Sequence, residues 1–446
     1  MPSRQVQPLH VALVSLGCPK NLVDSERMMG ILAEAGCVVG APADDADVIV
    51  INTCGFLSAA RDESLEFIGQ AVDLKQTGRV RRVVVAGCLA SRDAEALYES
   101  ADGIDAIVGV DNRHDILAAV VGEGCVTKTD GQAGPCGSDA GRLRLTLPHT
   151  AYLRIAEGCS QKCSFCTIPA IRGPFRSKSP SLVLDEAREL IADGAAELNI
   201  IAQDTTAYGS DGVGGVELAS LLRSLDALDG ANWLRLMYAY PRRFDDELID
   251  AIAGSEHVVP YVDMPLQHID DAILRRMGRG VSRKTIEELL HELRERVADL
   301  TIRTTFIVGF PGESDRNFAE LLDFVQDFKF DALGVFEFSP EPGTRAAEMP
   351  NQVPDAVKAE RAEAVMLAQQ AIVFDANEDK ISQEIEVLVD GLDAEGRCIG
   401  RHRGQAPDID GVCYLTSPCH TGDIVAGRIV DYEDYDLIVE PQQVRS

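Results

Sequence analysis

Positive charge is scarce in this 446-residue chain: 42 Lys and Arg face 72 Asp and Glu, for a formal net charge of −30. Phosphate polyanions are repelled by such a surface, which argues against nucleic acid as the primary substrate and suits a basic partner. Long apolar runs are also missing. None approaches the ~18 residues that cross a bilayer, so no membrane association is expected. The opening Met1-Pro2-Ser3-Arg4-Gln5 passes directly into the strand-like run His10–Ser15. It lacks the apolar region and small-residue cleavage site of an export signal, and a cytoplasmic protein is expected. Twelve cysteines diluted over so long a chain point to metal or redox use rather than a disulfide framework. The remaining composition, 46% hydrophobic and 26% charged, allows a sizeable core. Length alone suggests about three domains at ~150 residues each.

One loop concentrates the chemistry. Glu157-Gly158-Cys159-Ser160-Gln161-Lys162-Cys163-Ser164-Phe165-Cys166 sets three thiols at the spacing C-x-x-x-C-x-x-C. Thiolates are the usual protein ligands of cubane iron–sulfur clusters, and three of them leave one of four irons open to an outside molecule. Structural zinc would want a fourth Cys or His, and the nearest following His is His257.

Residues 9 to about 122 alternate strand-like and helix-like segments. The runs His10–Leu16, Val48–Thr53, Arg81–Ala86 and Ala106–Val110 read as strands buried on both faces, which indicates a doubly wound parallel sheet. Ligands of such sheets bind beyond the carboxyl ends of the strands. Cys18, Cys54 and Cys88 each stand at that end, one per strand, so three thiols remote in sequence should meet at one edge. The alternative is three unrelated buried cysteines, since free Cys packs as a small hydrophobe. Cys37, Cys125, Cys136, Cys398, Cys413 and Cys419 share no such placement and read as packing or surface residues.

A Gly-, Asp- and Ser-rich stretch, 123–144, reads as a linker. Beyond it come six strand–helix units: Ala151–Ala156, Glu197–Gln203, Trp233–Ala239, Tyr261–Leu266, Thr301–Gly309 and Ala332–Phe338, with amphipathic helices between them. This pattern predicts an open (β/α)6 barrel with its site at the strand C-terminal ends, where Gln203-Asp204, His268 and Gly309-Phe310-Pro311-Gly312-Glu313 lie. His268 reads as a structural or pocket-lining residue. A helical connector then leads to five short strands with Gly/Asp turns, which predict a small OB-like β-barrel. From residue 377 onward, 6 Lys and Arg face 15 Asp and Glu, the reverse of an RNA-binding footprint. Asp431-Tyr432-Glu433-Asp434-Tyr435-Asp436 could engage a basic protein, or serve only as a solvated acidic loop.

The three-cysteine loop resembles that of the radical S-adenosylmethionine (SAM) enzymes. The signatures Leu16-Gly17-Cys18-Pro19-Lys20-Asn21-Leu22-Val23-Asp24-Ser25-Glu26 and Asn52-Thr53-Cys54-Gly55-Phe56 are similar to the N-terminal domain of methylthiotransferases. The final module resembles a TRAM domain. The resemblance runs from about residue 9 to 442 and implies four parts: an N-terminal methylthiotransferase domain (8–122), a linker (123–144), a radical SAM core (145–376) and a TRAM domain (377–444).

It further implies two 4Fe–4S clusters, an auxiliary one on Cys18, Cys54 and Cys88 that carries the sulfur and a second on Cys159, Cys163 and Cys166 that cleaves SAM. Two SAM molecules would act in different roles, one methylating the sulfur and one yielding the radical that removes hydrogen from the substrate carbon. Gln203 and Asp204 would contact SAM, and Gly309 and Gly312 would border its adenine. No protein acid or base is implied. The Cys18-Pro19-Lys20-Asn21 version favours the branch that modifies the β-carbon of an aspartate in ribosomal protein S-twelve, a basic small-subunit protein, free or on the ribosome. The family also implies an electron donor such as flavodoxin or ferredoxin and a sulfur donor of unspecified identity. Two other readings stay open: a methylthiotransferase acting on an anticodon-adjacent adenosine of tRNA, and an iron–sulfur redox-sensing scaffold without turnover.

Overall fold

The computed structural model describes residues 8–100, 102–122, 126–129, 131 and 134–442. Its first sheet holds β1 (His10–Ser15), β2 (Val38–Val39), β3 (Val48–Thr53), β4 (Arg82–Gly87), β5 (Ala106–Gly109) and β6 (Val126–Lys128). All pairs are parallel, in the order β2-β1-β3-β4-β5-β6. The β-branched runs of β3 and β4 are buried at every position because helices cover both faces, and the two resulting core clusters lie on opposite sides of the sheet. The chain leaves β1 for β2 and then crosses back to β3. That reversal is the topological switch point of a doubly wound sheet, and a crevice opens there at the strand C-terminal ends. Two strands escaped the sequence pattern. β2 is too short for any periodicity, and β6 lies inside the stretch 123–144, which is therefore partly an edge strand rather than a simple linker. Cys125 lies outside the described residues.

The second sheet is formed by β7 (Thr150–Arg154), β10 (Glu197–Ile201), β11 (Trp233–Leu236), β12 (Val258–Asp263), β13 (Thr301–Val308) and β14 (Ala332–Glu337). They pair in parallel and in strict chain order, giving the open six-stranded barrel expected from the strand–helix alternation. β12 starts three residues ahead of the apolar run Tyr261–Leu266 because it contains Pro260, and pairing with β11 is irregular around that proline. Between β7 and β10 a two-residue hairpin, β8 (Ala156–Glu157) with β9 (Arg176–Ser177), brackets the cysteine loop. Inside the barrel Tyr152, Ile201, Trp233, Val259 and Tyr261 form an apolar column that also includes Val23 of the first domain and Leu388 and Ala406 of the last.

The last domain is a closed barrel of β15 (Glu384–Leu392), β16 (Cys398–His402), β17 (Cys413–Leu415), β18 (Ile424–Glu433) and β19 (Asp436–Pro441), reached through the 26-residue helix Asp355–Lys380. It docks on the strand N-terminal ends of the six-stranded barrel. Arg401 is buried there, donating to Glu197 at 2.7 Å and to Asp390 at 2.8 Å, while Tyr261 donates its hydroxyl to Asp410 at 2.7 Å. No helix among the described residues is long and apolar enough to cross a membrane.

The first domain docks on the opposite face, through buried ions. Arg154, at the end of β7, donates to Asp24 (2.6 Å), Glu157 (2.7 Å) and both oxygens of Asp139 (2.9 and 2.5 Å). Lys178 also reaches Asp139 at 2.7 Å and is paired with Glu186. Burial alone would raise the Asp139 carboxyl, but Arg154, Lys178 and Arg113 outweigh it and hold it well below the usual carboxylate range.

Two predictions follow from these ion pairs. Asp139→Asn leaves Arg154 and Lys178 undercompensated and should cost about 3 kcal/mol of stability at neutral pH. Because the folded value lies below the unfolded one, this contribution is complete above about pH 4 and fades as pH falls further. Urea unfolding of the wild type should therefore weaken on acidification through that window more steeply than unfolding of the variant, and equal slopes would refute the assignment. Arg401→Met strands Glu197 against Arg235 alone and should increase opening of the C-terminal barrel roughly a hundredfold. Limited proteolysis within 381–441 reads that change directly.

Candidate active site

Each cysteine of the first triplet occupies the turn that follows its strand. Cys18 caps the helix Pro19–Glu34, whose first turn has Pro19 preset for helix entry and carries no acidic residue. Cys54 follows β3, and Cys88 follows β4 as the first residue of the short helix Cys88–Arg92. The loops touch closely: at Gly17, with φ +89°, a Cβ would lie 2.9 Å from that of Cys54, so only glycine fits. The Cys18, Cys54 and Cys88 side chains act on one another electrostatically. Burial pushes the Cys88 thiol up to about 11 despite a nearby cation, Arg172. Cys18 differs. Burial would raise it, but Lys20, Arg172 and the backbone N–H groups of Asn21 and Lys20 together lower it.

The second triplet lies between β8 and the helix Ile168–Arg172. Its loop is pinned by backbone and side-chain bonds rather than by regular structure. Cys159 N–H donates to Gly173 (3.1 Å), Ser164 N–H to Met277 (2.8 Å), and the Gln161 amide to Asp204 (2.9 Å). Arg279 approaches Cys163 Sγ at 3.7 Å while stacking on Tyr240 at 4.0 Å. Burial drives Cys159 up to about 11 and Cys166 up to about 12, so a metal binding these thiols would release their protons. Among the described residues no three His, Cys, Asp or Glu side chains converge in a way that could hold a single metal ion.

Arg172 links the first triplet to Glu157 at the start of the second cysteine loop. It ends the helix after the second cysteine loop, yet its guanidinium donates to Cys88 Sγ (3.3 Å), Asn21 (2.8 Å) and Asp24 (3.0 Å) of the first domain and to Glu157 (3.1 Å). Lys20, next to Asn21, is buried with its ammonium 3.2 Å from the ring centroid of Tyr238 just beyond β11. Nothing in the sequence marked Arg172, Glu157 or Asp24 as partners. Their only signal is charge placed next to the two cysteine motifs.

The remaining site candidates sit at the same barrel end. Gln203 donates to Glu157 at 2.8 Å, and its buried Oε1 has no partner. Asp204 accepts from Gln161 and, at 2.7 Å, from Thr206. Gly309 and Gly312 have φ of +71° and +81°, but the space beside them is taken by Lys358 and Arg276, so protein packing by itself requires glycine at both. Phe310 between them meets Phe165 of the cysteine loop edge-on at 6.5 Å. His268 is fully buried, with Nδ1 accepting from Asp270 N–H at 3.0 Å and Nε2 at 3.6 Å from Glu313.

Residues 153–325 match the Radical SAM superfamily, residues 10–109 the Uncharacterized protein family UPF0004, and residues 381–441 the TRAM domain. Among solved structures, the radical S-adenosylmethionine methyltransferase TsrM from Kitasatospora setae shares the fold at a TM-score of 0.52 and 17% identity, covering 76% of this chain and 77% of its own. Curated relatives are far more similar. The ribosomal protein uS12 methylthiotransferase RimO of Geotalea uraniireducens is 44% identical over 96% of this chain and 98% of its own length. That of Geobacter sulfurreducens is 45% identical with the same coverage, and that of Symbiobacterium thermophilum 41% identical over 99% of this chain and 93% of its own. With this identity sustained across all three domains, the chain belongs to the RimO family of radical SAM methylthiotransferases.

Proposed function

We propose that the protein transfers a methylthio group to the β-carbon of an aspartate in ribosomal protein uS12. The observation that supports this reading is Arg172, which follows the second cysteine loop in the chain and donates both to Cys88 Sγ of the first triplet and to Glu157 just ahead of the second. Cys159, Cys163 and Cys166 would hold a 4Fe–4S cluster with SAM, and Cys18, Cys54 and Cys88 an auxiliary 4Fe–4S cluster. All-sulfur donor sets with no Cys or His completing a fourth corner suit cubane clusters better than a single zinc ion. Bound there, the two clusters and SAM would supply the radical and the sulfur.

The chain's own residues bind, orient and exclude water. Arg172 and Arg154 fix the two loops against each other through Asp24 and Glu157. Gln203 offers an unpartnered acceptor and Asp204 a carboxylate to SAM, and the Gly309–Gly312 turn borders the same loop through Phe310. A flavodoxin or ferredoxin would deliver the electron, and a separate sulfur donor would recharge the auxiliary site. The acidic balance of the chain favours a basic ribosomal protein over tRNA.

Two measurements test this. Anaerobically reconstituted protein, incubated with SAM, reductant, uS12 and tRNA, should add a methylthio mass to the uS12 aspartate alone. A gain confined to tRNA would move the assignment to the nucleic-acid branch, and no SAM cleavage at full iron loading would support a scaffold. Cys163→Ala and Cys54→Ala should each lose about half of the bound iron, from different clusters, as expected when each cluster depends on its own three thiolates. Loss of all iron in either variant would contradict two independent sites.

A further inference from the structure

Lys20 is the one buried lysine or arginine among the described residues without a hydrogen-bond or ion-pair partner. The other interior cations are all committed: Arg154 and Arg172 to Asp24 and Glu157, Lys178 to Asp139 and Glu186, Arg235 and Arg401 to Glu197, and Arg361 to Glu313. Arg82, Arg279 and Lys358 likewise have partners. Lys20 is 8% exposed; its ammonium lies against the face of Tyr238 and acts through space on Cys18, with no hydrogen bond to either. An ammonium has three donors, and a ring face engages one of them at most. Leaving a charge buried with unspent donors is costly unless an anion arrives to use them.

Its position says which anion. Lys20 is two residues from Cys18 and lies over Tyr238, between the first cysteine triplet and the C-terminal ends of β11 and β12. Tyr238 is held there in a left-handed conformation, φ +59°, with its N–H on Asp263 at 3.2 Å. Asp263 is paired with Arg303 at 3.0 Å and acts on Lys20 only through space, without a hydrogen bond to it. A substrate that receives a group carried at Cys18, Cys54 and Cys88 would enter the field of this ammonium, which acts on Cys18. An aspartate acting at its β-carbon brings a carboxylate one bond from the reacting atom.

We infer that Lys20 is the specificity-determining residue that receives the side-chain carboxylate of the target aspartate, holding its β-carbon between the two cysteine triplets. This rests on the methylthiotransferase reading of the previous subsection. A neutral base or amide at the same place would leave the cation unpaired, so the residue also selects acid over amide substrates.

The test is equilibrium binding, without reductant, of two uS12-derived peptides to the reconstituted enzyme, one with the target aspartate and one with asparagine there. Wild type should prefer the aspartate peptide by roughly tenfold or more, as expected for a charge-assisted hydrogen bond. Lys20→Met should lower aspartate-peptide affinity toward that of the asparagine peptide, and Lys20→Arg should restore most of the preference. Iron content is measured alongside to identify a misfolded variant. Retained discrimination in Lys20→Met, or loss of iron in Lys20→Met with discrimination intact in Lys20→Arg and in a milder Lys20→Gln, would overturn the inference and make Lys20 a support of the cysteine loop. Failure of the wild type to modify uS12 would instead overturn the reaction assignment.

Discussion

The buried ion network between the first domain and the six-stranded barrel is the constraint on which the rest depends. Arg154 and Arg172 each face Asp24 and Glu157, and Asp139 draws Arg154 toward Lys178 and Glu186. Such ions gain little net stability over apolar contact, because removing them from water costs about as much as their attraction returns. Their directionality is what matters here. A guanidinium that must satisfy carboxylates from two domains admits one docking geometry, whereas an apolar interface would tolerate sliding. Because Arg172 also touches Cys88, the same geometry fixes the turn after β4 against the helix that follows the second cysteine loop.

The two ends of the barrel divide the labour in the usual way for strand–helix barrels, chemistry at the strand C-terminal ends and stability at the other. The C-terminal domain occupies the second role. Arg401 and the Asp408–Asp410 region are turned inward to Glu197, Tyr152 and Tyr261. Arg401 is therefore spent inside together with Asp390 and Asp410, while Arg397 is held at the surface by Asp393 and Tyr414. In the β18–β19 hairpin Tyr432 and Tyr435 pack toward Phe374 of the connecting helix, while Asp431, Glu433 and Asp434 face solvent. That arrangement makes the segment an ordered acidic ridge.

Much of this was readable beforehand, for identifiable reasons. Fully buried parallel strands such as β3 and β4 write continuous β-branched runs into the chain, and a cysteine directly after each run falls at the one edge where such sheets bind ligands. β2, β6 and the β8–β9 hairpin were illegible because two or three residues carry no period. The stretch 123–144 looked like a linker from its Gly and Asp content, yet Asp139 within it is among the most buried carboxylates of the molecule. Composition cannot distinguish a solvated aspartate from one that neutralises two interior cations.

The sequence by itself determined the three-part order and the strand ends on which the cysteines stand, since each follows from local pattern and spacing. Only the tertiary structure decided that Arg172 reaches back to Cys88 and Asp24 of the first domain, and that Lys20 is left without a hydrogen-bond or ion-pair partner. Those facts depend on side chains remote in sequence, and a charge seen in sequence acquires its meaning only when its neighbours in space are known.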